Sequence, residues 1–174
     1  MIIVTTPMCE NILKIAGITD YKVNKHPDEE EGDLAILLSE SKVKMNSLPI
    51  KLNTFSQIRE SIIEVARYSP EGSLSQEKLD DLFDKYNKNY NLDKRVKVYS
   101  EFLKDIACDM GLVLDDENYE YVIYPDYLKE EINEKDNIKL IEIPTHSNVS
   151  ADPLERCAMR YEQIENFINN KNYI

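Results

Sequence analysis

The order of apolar segments predicts an α/β fold: a mainly parallel sheet with helices on both faces and a helical insertion in the middle of the chain. Two observations carry this expectation. Asp33-Leu34-Ala35-Ile36-Leu37-Leu38 is dominated by an unbroken apolar run, the pattern of a strand covered on both faces, as parallel sheets require. Apolar residues then recur at helical spacing between the strand-like runs. At 174 residues the chain is the size of one domain, expected to span 1–174, with the helical segment at about 73–111.

Ile2-Ile3-Val4 reads as the first strand. Thr6 is placed to cap a helix, Pro7 fits its first position, and Ile12, Leu13 and Ala16 continue it. Gly17 then offers the left-handed stop, with Ile18 folding back. An acidic connector from Asp28 to Glu31 leads to the Leu34–Leu38 strand. Leu48-Pro49-Ile50-Lys51-Leu52 reads as a third, with Pro49 near its start, where a missing donor is tolerable.

Thr54 and Gln57 have capping-box spacing, so a helix is expected from Phe55 to about Tyr68, turning Ile58, Ile62, Val65 and Ala66 inward. Two more helices are expected, from Glu77 to about Tyr90 and from Asp93 to Met110, the second closed by Gly111. Leu112–Leu114 and Tyr119–Tyr124 fit either a hairpin or one strand after a ragged helix end. Asp126 to Ile132 suits a short helix and Ile138–Ile143 a strand. Asp152-Pro153-Leu154-Glu155 opens the last helix, whose inner stripe is Leu154, Cys157, Ala158, Tyr161, Ile164 and Ile168. No internal repeat is visible.

With 33 acidic against 21 basic residues the formal charge is −12, which removes any general attraction to nucleic acid or anionic lipid. No basic leader precedes the first strand, and no apolar run nears the roughly 18 residues of a membrane span. A cytoplasmic protein is the expectation. Three scattered cysteines suit reduced thiols, and neither they nor His26 and His146 have metal-ligand spacing, so no metal is expected.

Cys9 is the candidate nucleophile. In the first turn of a helix, unpaired N–H groups and the dipole favour a thiolate and lower the thiol pKa from about 8.5. Residues 9, 12, 13 and 16 also describe one packed helical face, so a purely structural Cys9 is the competing reading. Cys108 and Cys157 lie in helical apolar stripes and are assigned to packing.

In parallel α/β sheets ligands sit beyond the carboxyl ends of the strands. The polar groups there are Thr5 and Thr6, Ser39 and Ser41, and Thr145, His146, Ser147 and Asn148, to which Pro7 and Met8 are added as neighbours of Cys9. Hydroxyls and amides of this kind suit a nucleotide. Many such residues serve only turns and caps, Thr54 most clearly. The absence of G-x-G-x-x-G and of G-x-x-x-x-G-K-[ST] argues against the common phosphate loops.

The opening Thr5-Thr6-Pro7-Met8-Cys9-Glu10-Asn11-Ile12-Leu13, in a small acidic α/β chain, resembles the HcgF family. These are Hcg proteins, which build the iron-guanylylpyridinol cofactor of the [Fe]-hydrogenase of methanogens. The resemblance implies binding of guanylylpyridinol and a thioester between its carboxylate and Cys9. It also implies prior adenylation by the partner HcgE, Cys9 then displacing AMP, in a chain with no resident cofactor of its own. Backbone N–H groups of Met8 and Cys9 would stabilise the oxyanion. On this reading the chain is a cofactor-biosynthesis protein acting as an acyl carrier. The alternatives are a non-catalytic nucleotide or cofactor binder with a structural Cys9, and an interaction protein docking through its helical middle. A homodimer is a fair expectation for its size.

Overall fold

A computed structural model describes residues 1–70, 72–134, 137–145 and 149–170. The chain is α/β with two separate four-stranded sheets, each wholly parallel, in two compact units. The first unit is Met1–Asn87 with Ala151–Leu154, and the second Lys88–Ser150 with Glu155–Ile174. The parallel α/β class expected from the apolar runs is thus the class observed, but its strands are shared between two sheets where one was expected.

In the first unit the elements are β1 (Ile3–Thr5), α1 (Glu10–Ile15), β2 (Lys22–Val23), β3 (Leu34–Leu38), β4 (Ser47–Ile50), α2 (Phe55–Ala66) and α3 (Gln76–Asp84). The sheet order is β2-β1-β3-β4. Every residue of β1 and the centre of β3 are buried, as expected for strands covered on both faces. Helix α1 ends where Gly17 adopts φ +83, and the Ile18 N–H returns 2.9 Å to the Leu13 carbonyl, the stop anticipated from Ala16-Gly17-Ile18. The α2 capping box forms as expected. The Gln57 N–H donates to the Thr54 hydroxyl at 3.2 Å, and the Thr54 N–H to the Gln57 side-chain oxygen at 3.3 Å. Ile58, Ile62 and Val65 then fill the core beneath it.

In the second unit β5 (Arg95–Val98), β6 (Val113–Leu114), β7 (Tyr121–Pro125) and β8 (Lys139–Ile143) build a sheet ordered β6-β5-β7-β8, accompanied by α4 (Glu101–Asp109) and by α5 (Pro153–Asn169) from Glu155 onward. Each unit therefore places its second strand outside its first and its third and fourth on the other side. This is a repeated topology that no residue-level similarity announced. Gly111, φ +74, repeats the role of Gly17: the N–H of Leu112 returns 3.0 Å to the Ala107 carbonyl.

The helical middle is broken by a strand. Residues 93–98, expected as the start of a long helix, contain β5, and the helix begins only at Glu101, capped by Ser100. The burial of Arg95-Val96-Lys97-Val98 alternates, and both apolar residues are β-branched, which suits a strand better than a helical turn. The third helix is also shorter than expected, ending at Asp84. β6 and β7 form neither a hairpin nor a single strand; they flank β5 on opposite sides, both parallel to it.

Candidate functional site

The backbone at the end of β1 turns so that the Thr6 carbonyl accepts the N–H groups of Cys9, at 3.0 Å, and Glu10, at 3.1 Å. Cys9 rather than Thr6 is consequently the N-cap residue of α1, and it contributes no side-chain cap. Its side chain is 0% exposed, in a helix whose Ile12 and Leu13 are also buried. Two features expected of a reactive Cys9 are therefore corrected. The sulfur does not face an open cavity, and the Cys9 N–H expected to steady an oxyanion is already committed to Thr6. The face formed by 9, 12, 13 and 16 is the face that packs. Among the other cysteines, Cys157 is buried as expected, whereas Cys108 is exposed.

Thr5 is likewise withdrawn from ligand chemistry, since its buried hydroxyl donates 2.7 Å to the Ile36 carbonyl across the β1–β3 ladder. The exposed Ser39 extends the ladder through its N–H to the Ile50 carbonyl, and its hydroxyl bonds Glu40. Pro7 is exposed and Met8 half-buried.

Thr6 and Ser41 do meet, in a cavity of about 340 Å³ in the first unit, lined also by Lys25, His26, Leu37 and Lys42. These residues follow or end β1, β2 and β3, so the cavity opens at the carboxyl edge of the sheet. It lies over the β1–β3 pair, where the strand order reverses and where parallel sheets take ligands. Two loops make its walls. Asn24 organises the first, accepting the His26 N–H at 2.9 Å and donating 2.9 Å to Glu30. The second is tied to the first where the Lys44 N–H meets the Asp28 carboxylate at 2.8 Å.

The charges around this opening are unequally engaged. Hydrogen bonding from Asn24, with Lys22 beside it, holds the Glu30 carboxyl below its usual range and keeps it paired to Lys22. Asp28 on the rim is occupied by the Lys44 N–H. Lys25 and Lys42, both exposed, enter no ion pair among the described residues. Lys25 and His26 were not recognised as strand-end site residues from the sequence because β2 is only two exposed residues and left no strand whose end could be inspected.

Thr145 belongs to the second unit, where its N–H donates 3.2 Å to Asp126 and its hydroxyl donates to the same carboxylate. His146, Ser147 and Asn148 lie outside the described residues. Among the described residues no group of three or more His, Cys, Asp or Glu side chains is arranged to hold a metal ion, and no helix is long and apolar enough to cross a membrane.

No family model and no curated protein matches this chain. A solved structure similar to it is the crystal structure of Zn(II)-bound AdcA from Streptococcus pneumoniae, at 14% identity and a TM-score of 0.45 over 99% of this chain and 54% of that one. The chain thus spans about half the length of that protein.

Proposed function

We propose that this chain binds a nucleotide-type anion non-covalently over the carboxyl edge of its first sheet, with Cys9 serving the core. The carrying observation is the pairing of two uncommitted cations, Lys25 and Lys42, with the Thr6 and Ser41 hydroxyls around one cavity, on a chain of formal charge −12. Lysine ammonium groups attract a phosphate as point charges, hydroxyls fix its oxygens, and the apolar wall of Leu37 and Val43 suits a planar ring. The resemblance over Thr5–Leu13 makes guanylylpyridinol the ligand of choice, its guanylyl phosphate meeting the lysines.

The acyl-carrier reading requires the Cys9 sulfur to reach an adenylated carboxylate delivered with HcgE. A side chain at 0% exposure supports the binding reading over it. Calorimetry with guanosine monophosphate and with guanylylpyridinol tests the proposal. Binding should weaken about tenfold or more in the Lys25→Ala/Lys42→Ala double variant and with rising salt, and be unchanged in Cys9→Ala. Failure of both ligands to bind would reject it. A covalent adduct on Cys9 after incubation with HcgE, ATP and guanylylpyridinol would restore the carrier reading.

A further inference from the structure

Helix α5 brings two arginines, Arg156 and Arg160, into the second unit one turn apart, and both are buried, at 4% and 8% exposure. Arg156 donates 2.9 Å to the Ser150 carbonyl. Arg160 is differently placed. Its Nε is buried with no hydrogen-bond partner, and among the described residues its guanidinium enters no ion pair; it lies over the Phe102 ring, 4.9 Å from the centroid. Burial, with the Arg156 charge beside it, lowers its pKa to about 10, so it stays charged at neutral pH.

The Asp126 carboxylate offsets part of this charge while also accepting the N–H and hydroxyl of Thr145, and the Arg160 Nε–H is left without an acceptor. Cys157, between the arginines, has its thiol pushed up to about 12 by burial and is neutral. A desolvated guanidinium that keeps an unmet N–H is costly to hold in the interior, and like charges one helical turn apart add to that cost.

The place matters as much as the charge. Phe102 is the second residue of α4, just past β5; Asp126 directly follows β7; Thr145 follows β8. Arg160 therefore stands at the carboxyl edge of the second sheet, beside β5 and β7, where the order β6-β5-β7-β8 reverses. We infer that the second sheet carries an oxyanion site of its own, in which a phosphate or carboxylate group of a small ligand pairs with the Arg160 guanidinium, with Arg156 adding charge and Phe102 forming one wall. A planar guanidinium with an unused Nε–H matches the two-point geometry of either group. This inference rests on the second unit alone and stands or falls apart from the Lys25/Lys42 cavity.

The test titrates the full chain with inorganic phosphate and, separately, with acetate, against chloride at matched ionic strength. It follows the Arg160 Nε–H resonance by nuclear magnetic resonance, assigned from Arg160→Lys. The expected result is a saturable shift of that resonance, the anion that saturates at lower concentration identifying the ligand group. Arg160→Met should lose at least tenfold in affinity at this site, yet without anion keep or raise its melting temperature, because it removes a desolvated guanidinium with an unmet N–H and its repulsion from Arg156. The Lys25→Ala/Lys42→Ala variant should leave the resonance shift intact. A resonance that neither anion moves overturns the inference. So does a fall in anion-free stability of Arg160→Met of the kind a purely structural stack on Phe102 would produce.

Discussion

Replacing Glu134 by Gln should loosen the second unit in a pH-dependent way. The Glu134 side chain is 7% exposed, and its carboxylate accepts the Tyr119 hydroxyl at 2.6 Å, the Tyr99 hydroxyl at 2.8 Å and the Lys97 ammonium at 2.9 Å. The Tyr119 hydroxyl foremost, then Lys97 and Tyr99, holds its pKa down to about 2 from 4.5. A carboxylate depressed in the folded state stabilises above its unfolded pKa, and that contribution is lost as pH falls from about 4.5 to about 2. At about 1.4 kcal/mol per pH unit the ceiling is about 3 kcal/mol, and water at the edge of the cluster brings the expected cost of Glu134→Gln to about 1–2 kcal/mol. In urea at pH 7 the midpoint should drop by about 0.5–1 M, and the gap between wild type and variant should close as pH approaches about 2. Equal midpoints at pH 7, or a gap that persists unchanged at low pH, would refute the reasoning.

Iodoacetamide on the folded protein, read by peptide mapping, should modify the exposed Cys108 and spare the fully buried Cys9 until denaturant is added; comparable rates at both would show an open Cys9. Gly17→Ala should cost about 1–3 kcal/mol, because a Cβ there would stand 2.4 Å from the Ser73 Cβ on a backbone of φ +83. Gly72→Ala, at φ +79 with open space around it, should cost about 1 kcal/mol, and equal melting temperatures for the two variants would contradict that difference.

What the residues revealed depended on how many of them each feature spanned. β3 was legible as an unbroken apolar run of five residues, and α2 and α5 because twelve and seventeen residues repeated one helical period. The two-residue edge strands β2 and β6 carried no period at all, and with β2 unseen, Lys25 and His26 could not be recognised as strand-end residues. β5 was hidden differently. Val96, Tyr99, Phe102, Leu103 and Ile106 also satisfy helical spacing, and only the alternation within Arg95–Val98 records the strand. The division into two sheets left no mark, since a buried parallel strand reads the same in a four-stranded sheet as in a wider one.

The site was half visible. Hydroxyls after strands led to Thr6 and Ser41, which share the cavity, and also to Thr5, whose hydroxyl the ladder consumes. The spacing that suggested a first-turn thiolate at Cys9 equally described a packed face, and only the turn at Thr6, which absorbs the Cys9 N–H, separates the two. Arg156 and Arg160 each sit one position before a residue of the α5 stripe, Cys157 and Tyr161, and that adjacency was the available sign that they would be drawn into the interior.

The central claim is that ligand and sulfur are kept apart: an anion at the strand ends, Cys9 in the core. A ¹⁵N chemical-shift titration with guanosine monophosphate tests it most directly. The account predicts saturable shifts at Thr6, Lys25, Ser41 and Lys42. An undisturbed set of those four signals at saturating nucleotide would contradict it.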